Sequence, residues 1–286
     1  MAVNFEIIPA HDLSLAAQAA TFTTAFDGYV GGLFAMDAAG LGRFLCAQGA
    51  DLCYSRFARN SDGLCGFGYI TRVGEISRLA GMGVVPSARR SGAARALLLH
   101  LLEEARARGD RMMVLEVIEQ NPPACALYRR EGFREVGRLC GWRRPAQEGA
   151  AMPSEIAATL KEISIAAASQ LPAGQEFSEL PWAISRHAIA KMISGRAYFS
   201  GRAVVVIGDP AVAGPVRIHA LASAQTGAPD WAAMRQAFAS VLALHRAREF
   251  FAPPVFPEEF GEKLFLPLGF APEPLGQFLM RYDLQK

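Results

Sequence analysis

The chain has 286 residues, of which 51% are hydrophobic and 20% charged, and its 29 basic and 27 acidic residues leave a formal net charge of +2. That length accommodates two ordinary domains, and the composition is that of folded globular protein rather than disorder. The near balance of charge argues against nucleic acid or a membrane surface as partner, and no apolar run reaches the ~20 residues a bilayer span requires.

The five cysteines, Cys46, Cys53, Cys65, Cys125 and Cys140, are odd in number and contain no C-x-x-C pair. This spacing offers neither a zinc cluster nor a disulfide framework, so reduced thiols in a cytoplasmic protein without a metal are expected. The N-terminus shows no basic segment ahead of an apolar core, so no secretory leader is expected.

Residues 4–9 form a short apolar segment ended by Pro9, read as an edge strand. Residues 13–26 read as a helix with His11 and Asp12 near its start, broken by Asp27-Gly28-Tyr29-Val30-Gly31-Gly32. A second helix follows around 37–47, and segments 54–59 and 64–71 flank the turn-forming Asn60-Ser61-Asp62-Gly63 as a hairpin.

Residues 76–85 form the strand leading into the central stretch, Met82-Gly83-Val84-Val85-Pro86-Ser87-Ala88-Arg89-Arg90-Ser91-Gly92-Ala93-Ala94-Arg95. The apolar run stops at Pro86, a basic glycine-containing turn follows, and a helix over 91–108 begins. Ala94, Leu97, Leu98, Leu101, Leu102 and Ala105 give that helix one apolar face, and Gly109 stops it. The first turn of a helix leaves backbone N–H groups without partners at the positive end of the dipole. Such a turn is a phosphate site, and Arg89, Arg90 and Arg95 add charge.

The next strand, residues 112–118, is apolar enough to be buried on both faces. Asn121-Pro122-Pro123 opens a short helix ending near Gly132, and residues 133–142 form a last strand. The order is strand, helices, three strands, helix, strand, helix, strand. A helix between two strands implies a parallel pair with a right-handed crossover, and the ligand of such a sheet lies beyond the carboxyl ends of its strands.

Two motifs carry a resemblance. Arg89-x-x-Gly92-x-Ala94 after V-V-P resembles the R/Q-x-x-G-x-G/A loop of the GNAT acetyltransferases. Asn121-x-x-Ala124-x-x-Leu127-Tyr128-x-x-x-Gly132-Phe133 resembles a second segment of the same family. The match covers roughly residues 3–142, with the motifs in order and one strand between them. It implies acetyl-CoA as co-substrate, its pyrophosphate held by Arg89, Arg90, Ser91, Gly92, Ala93 and Ala94. It also implies backbone contacts from Met82, Gly83 and Val84, a contact of Asn121 with the cofactor arm, and Tyr128 as the acid that protonates the leaving thiolate.

Asn121 before two prolines is equally a helix N-cap, and the two roles are compatible. Some family members use a glutamate base on the strand before the glycine turn. That position is Arg78 here, which accepts no proton, so Glu75, Glu116 and Glu119 stand as alternatives. The loop between the first two helices often covers the acceptor in this family, and here it carries Asp27 and Tyr29.

The second half repeats the first at an offset of 137 residues. Leu127, Tyr128, Gly132 and Phe133 fall on Leu264, Phe265, Gly269 and Phe270, and the helix beginning near Ala93 falls on one beginning near Asp230. Segments 204–207 and 216–221 supply strands ahead of it. The functional positions change: Arg89 falls on Thr226, Gly92 on Pro229, Asn121 on Glu258 and Tyr128 on Phe265. Proline lacks the backbone donor a phosphate needs, glutamate repels it, and phenylalanine gives no proton. Pro253-Pro254 is expected to interrupt the strand after the second helix.

The resemblance implies an α/β fold of two GNAT-like domains in tandem, each a mixed, mostly antiparallel twisted sheet flanked by helices. Residues 1–145 are expected to bind acetyl-CoA, and residues 146–286, after a proline- and alanine-rich linker around 145–153, to form a degenerate domain. The expected reaction is direct acetyl transfer to an amine of a small molecule or a protein, by a monomer or homodimer. A different acyl-CoA, a hydroxyl or thiol acceptor, and a non-catalytic acetyl-CoA-binding sensor or scaffold remain as alternatives.

Overall fold

The structure, a computed structural model, describes residues 5–32, 35–147, 160–171, 180–225 and 227–285. Asn4, residues 148–153 of the expected linker, and Thr226 lie outside them. The chain divides into two compact units, residues 1–136 with 278–286, and residues 137–277. This division differs from one at 145/146 in two segments: 137–145 belong to the second unit, and 278–286 to the first.

Unit 1 follows the expected element order. It runs β1 (Glu6–Pro9), α1 (Leu15–Ala25), α2 (Ala38–Gln48), β2 (Asp51–Asn60), β3 (Gly63–Val73), β4 (Ile76–Val84), α3 (Ala93–Ala107), β5 (Met112–Ile118), α4 (Pro122–Arg130) and the first residues of β6 (Arg134–Arg144). The sheet order is β1-β2-β3-β4-β5, continued by the end of β12 (Ala271–Asp283). Pairing is antiparallel from β1 through β4, and β4 with β5 is parallel, as the helix between them requires.

Local chemistry explains the boundaries. Ser14 caps α1 by accepting from the Ala17 N–H at 3.2 Å, and Asp37 caps α2 by accepting from the Gly40 N–H at 2.6 Å. In α3 the buried stripe is Ala93, Leu97, Leu98, Leu101, Leu102 and Ala105. Ala93 joins this face and Ala94 is only half-buried. This stripe lies on β3, where two glycines admit it: a Cβ on Gly68 would stand 2.6 Å from Leu101 Cδ1, and one on Gly66 3.0 Å from Leu97 Cδ1. On the other face, Phe22, Phe57, Phe67 and Tyr69 form an aromatic core against α1. The Tyr69 hydroxyl donates to Gln18 Oε1 at 3.1 Å, and Gln18 Nε2 donates to the Ala10 carbonyl, so the buried polar groups are satisfied.

The β4–β5 ladder positions the site. It holds only four register pairs, from Ile76↔Met112 to Leu79↔Leu115. In the β3–β4 ladder the register shifts between Tyr69↔Gly81 and Ile70↔Leu79, which leaves Ala80 as an extra residue, a β-bulge. Beyond it β4 continues to Val84 and β5 to Ile118 without pairing to each other. The two strands splay, and the β5-facing edge of β4 from Met82 to Val84 is open.

Unit 2 repeats this order: β7 (Lys161–Ile163), α5 (Ile165–Gln170), α6 (Arg186–Ile189), β8 (Arg196–Phe199), β9 (Ala203–Ile207), β10 (Val216–Ser223), α7 (Trp231–Leu244), β11 (Phe250–Pro257), helical turns over 258–268, then β12. Residues 139–144 of β6 pair with β11. The parallel ladder is shorter, with Val216↔Phe250 and Arg217↔Phe251 only. The Pro253-Pro254 pair does not end β11, but the ladder register breaks between Ala252 and Phe256, where those residues cannot donate.

Candidate functional site

Val85 to Gly92 connect the open strand β4 to α3. Pro86–Ala88 form one 3-10 turn, Arg90 has φ +62°, and Gly92 has φ +98° as N-cap of α3. Arg90 is the only non-glycine with positive φ among the described residues, and such left-handed residues turn successive N–H groups into a concave nest. The Ser91 hydroxyl donates to the Ala88 carbonyl at 2.6 Å and closes the turn from within.

Gly92 supplies no side-chain cap. Among the described residues, the backbone N–H groups of Arg90, Ser91, Gly92, Ala94 and Arg95 have no protein acceptor, whereas Ala96 already bonds the Gly92 carbonyl. Nothing lies within 4 Å of where a Gly92 Cβ would stand. An open, uncapped helix N-terminus with a positive nest fits a diphosphate. Met82, Gly83 and Val84 border it on the splayed strand. Gly83 is demanded by packing, since a Cβ there would stand 2.9 Å from Phe67 and 3.0 Å from Ala25.

The arginines divide. Arg90 is exposed at the turn. Arg95 is held by Glu131 at 2.8 Å, and the Glu131 carboxyl is kept below its ordinary range by Arg95 and then Arg130. Arg89 points elsewhere than the nest: its guanidinium donates to the carbonyls of Ala25 and Asp27 at 3.2 Å each and of Val84 at 3.4 Å. It ties the end of α1 and the loop behind it to the end of β4.

The second motif closes the other arm of the splay. Asn121 is the N-cap of α4, with Oδ1 accepting from the Ala124 N–H at 3.4 Å and Pro122 at the first helical position. Two turns later Tyr128 is 6% exposed, its ring edge-on to Phe133. Its hydroxyl makes no hydrogen bond among the described residues, and burial pushes its pKa up, with Tyr29 and Cys125 adding to the effect. The phenol therefore stays protonated through the physiological range and is free to donate. Cys125 is buried against the Ile118 carbonyl, with its thiol pKa raised by burial, so it is a poor nucleophile.

The carboxylates near the splay separate clearly. Arg78 and Glu116 form a buried ion pair across its base, with Nε to Oε2 at 2.8 Å and Nη2 to Oε2 at 2.7 Å, and Arg78 Nη1 also donates to Gln48 Oε1. Glu116 is committed to this guanidinium. Glu75 lies at the opposite end of β4, paired with Arg111 at 3.1 Å. Glu119 alone of the three follows the end of β5 at the mouth. Tyr29, on the loop expected to cover the acceptor, is half-buried. Burial raises the pKa of its phenol. Asp27 is exposed and offers its carbonyl to Arg89.

In unit 2 the corresponding places are filled. Asp230 caps α7 by accepting from the Ala233 N–H at 3.0 Å, and its other oxygen is paired with Arg202. Phe265 is buried in a cluster with Trp142, Phe238, Phe256 and Phe270. Among the described residues no group of His, Cys, Asp or Glu could hold a metal ion, and no helix is long and apolar enough to cross a membrane.

Residues 31–133 match the sequence profile described as the Acetyltransferase (GNAT) family. No curated protein matches the chain. Among solved structures, the fold is similar to a putative acetyltransferase from Pyrococcus horikoshii (TM-score 0.62, 15% identity, covering 99% of this chain and 90% of that one). It is also similar to a GCN5-related N-acetyltransferase from Sphaerobacter thermophilus (TM-score 0.63, 13% identity, 99% and 96% covered). A tandem GNAT protein from the clavulanic acid biosynthesis pathway aligns over 99% of both chains at TM-score 0.59 and 14% identity. At these identities the likeness concerns the fold, and it extends over both units.

Proposed function

The chain carries a domain of the acetyltransferase (GNAT) family, and from that premise we propose that unit 1 transfers an acetyl group from acetyl-CoA directly to an amine. The observation that carries this reading is the uncapped start of α3. Five N–H groups with no protein acceptor among the described residues surround an open Gly92, beside a splayed strand edge and a tyrosine hydroxyl with no hydrogen bond among those residues. Unit 2 offers no such end, so one acetyl-CoA is expected per chain. The acceptor is an amine of a small molecule or a protein. Cys46, Cys53, Cys65, Cys125 and Cys140 are free thiols, in keeping with a cytoplasmic protein.

Bound acetyl-CoA supplies the acyl group and the thiol that leaves. The nest of residues 90–95 holds its diphosphate with backbone donors and the helix dipole. The open edge of β4 at Met82–Val84 offers N–H groups to the pantetheine amides and to the carbonyl as it gains negative charge. Asn121 faces the cofactor arm. Tyr128 donates its proton to the departing sulfur. Of Glu75, Glu116 and Glu119, we assign the proton of the amine to Glu119, which follows the end of β5, since Glu116 is paired with Arg78 and Glu75 with Arg111.

Calorimetric titration with acetyl-CoA, followed by thiol release against a panel of amines, tests this. One site per chain is expected. Tyr128→Phe should keep acetyl-CoA affinity and lose about 10²–10⁴-fold in turnover. Absence of binding sinks the reading. Binding without thiol release for any acceptor, unaltered by Tyr128→Phe, leaves the acetyl-CoA sensor, the alternative that Arg78 in place of a glutamate base favours.

A further inference from the structure

One face of the splay looks toward α1 and α2, and both strands contribute to it. On β4, Arg78 donates to Gln48 of α2 at 2.9 Å, and a Cβ on Gly83 would stand 3.0 Å from Ala25 of α1. Gly81 shares that face with Gly83, two residues along the strand. Among the described residues, the atom within 4 Å of its Cβ position is Phe44 Cζ of α2, at 3.9 Å. Phe44 and Gln48 are four residues apart on α2, so both project from one side of the helix. On β5, Glu116 reaches across to Arg78, and Ile118 two residues on shares its face. There Ile118 meets the loop between α1 and α2: its Cδ1 and Tyr29 Cε1 stand 3.0 and 2.6 Å from the Cβ position of Gly31.

These residues outline a hollow over Gly81. Its floor is the Arg78–Glu116 ion pair, with side chains 7% and 8% exposed, whose charges are spent on each other. Its walls are aromatic. Phe44 packs on Phe22 with ring centres 5.2 Å apart, Phe22 on Phe26 at 4.6 Å, and Phe26 meets Tyr29 edge-on at 4.8 Å. Phe26, Tyr29, Phe44 and Ile118 are each only half-buried, so this row keeps apolar surface uncovered. The open edge of β4 runs along the same gap. Gly81 does not take a left-handed φ, and no close contact surrounds its Cβ position among the described residues. Neither backbone nor packing calls for glycine there. What the missing side chain leaves is room beside the strand edge.

We infer that the acceptor is a small primary amine on a flat apolar body, an arylalkylamine, seated over Gly81 on this face, and that Gly81 and Phe44 set its size. The inference rests on the acetyl-CoA reading and adds the class of acceptor to it. Ring edges and faces favour a flat apolar partner. The paired floor offers a carboxylate-bearing acceptor no uncommitted cation and a diamine no uncommitted carboxylate, and an unpaired charge pays desolvation there. The body lies against Phe44, and the amine points to the open edge of β4. There the nitrogen bonds to the acetyl carbon and the C–S bond breaks. The sulfur takes its proton from Tyr128, and the proton lost by the nitrogen passes to Glu119.

The test measures thiol release at saturating acetyl-CoA with 2-phenylethylamine, ethanolamine, 1,4-diaminobutane, glutamate and a lysine-containing peptide. 2-Phenylethylamine should have the highest kcat/KM, by about 10-fold or more over each of the others. Gly81→Val fills the hollow and should raise the KM for 2-phenylethylamine by about 10-fold, while calorimetry finds acetyl-CoA affinity within about 2-fold of wild type. Should valine prevent folding, Gly81→Ala is read the same way, with a rise of about 3-fold. Phe44→Leu keeps an apolar side chain on the core and frees space, so it should shift preference toward the bulkier tryptamine by about 3-fold or more. A charged, hydroxylated or peptide amine as best acceptor overturns the inference, as does an unchanged KM in the Gly81 variant or an unchanged preference in Phe44→Leu. Equal loss of amine and acetyl-CoA affinity in the Gly81 variant overturns it too. Acetyl-CoA binding with thiol release for none of the amines overturns it and leaves the cofactor site standing. Failure of the wild-type protein to bind acetyl-CoA overturns the acetyl-CoA reading itself.

Discussion

The two helices that follow the splaying strands begin in opposite ways. α3 starts at Gly92 with a left-handed backbone and no side-chain cap, while α7 starts at Asp230, whose carboxylate caps the first turn and pairs with Arg202. The same contrast holds at the next helical segment, where unit 1 has a tyrosine hydroxyl with no hydrogen bond among the described residues and unit 2 buries Phe265 among aromatic rings. One fold thus serves two ends. A helix N-terminus is an anion site only while the protein leaves it unfilled, and filling it exchanges ligand binding for local stability.

The largest effect that should sharpen this contrast is in the aromatic cluster. Phe265→Ala removes a ring that is 0% exposed and should cost about 3–5 kcal/mol in denaturant unfolding, without moving the acetyl-CoA affinity of unit 1. Its counterpart Tyr128→Phe should cost under ~1 kcal/mol and act on turnover. A stability loss of equal size in both would erase the distinction between a packing residue and a reacting one.

The base of the splay gives the next effect. Arg78 and Glu116 fall by the repeat on Pro215 and Pro253, so unit 2 does without the ion pair. Arg78→Met leaves a buried carboxylate without its partner and should cost about 3 kcal/mol. Adding Glu116→Leu should restore most of it, as exchange of a whole buried pair for apolar residues usually does. No recovery in the double variant would mean that the pair contributes net stability.

Importing the cap of unit 2 into unit 1 is the most direct attack on the comparison. Gly92→Asp should weaken acetyl-CoA by about 100-fold, because a carboxylate occupies the N–H groups and repels phosphate, at a backbone cost of about 1 kcal/mol from the positive φ. Retained affinity would show that the start of α3 is not where the phosphates sit.

The smallest effect is in pH. His219, at the β10 irregularity, is pushed down to about 4, chiefly by burial and then by Arg217. It stays neutral when folded, while the unfolded chain takes up a proton below its ordinary value near 6.5. Stability is therefore complete above that value and falls as pH drops toward 4, by about 1–2 kcal/mol at pH 5. Exchange rates in β9 and β10 should report it, and His219→Gln should flatten the response.

Most of unit 1 was legible because its signals are local. Pro86, Gly92 and Gly109 punctuate α3, the Leu97–Leu102 stripe has helical period, and Asn60–Gly63 is a turn by composition. Gly132 and Gly269 both take left-handed φ at the ends of their helical segments, as the repeat predicts. The repeat slips by one residue at the second helix, so the counterpart of Gly92 as N-cap is Asp230 rather than Pro229. What sequence could not disclose is long-range. The Arg78–Glu116 pair spans 38 residues and depends on parallel register, and the Arg89 contact to Asp27 spans 62. Tyr29 and Ile118 come together beside Gly31 only because the loop folds back toward the end of β5. A tyrosine in a glycine-rich turn carries no sign of that.

The membership of residues 278–286 in unit 1 sets a timetable for biosynthesis. Met280 and Leu284 are buried in the cluster that also holds Leu98, Leu115 and Tyr128, so that core is incomplete until the ribosome has released them. The candidate reacting tyrosine is translated early yet seated last, after the whole of unit 2 has emerged. A message cut short anywhere in the second half would leave the motifs of the first half intact on paper and their tyrosine without its packing partners.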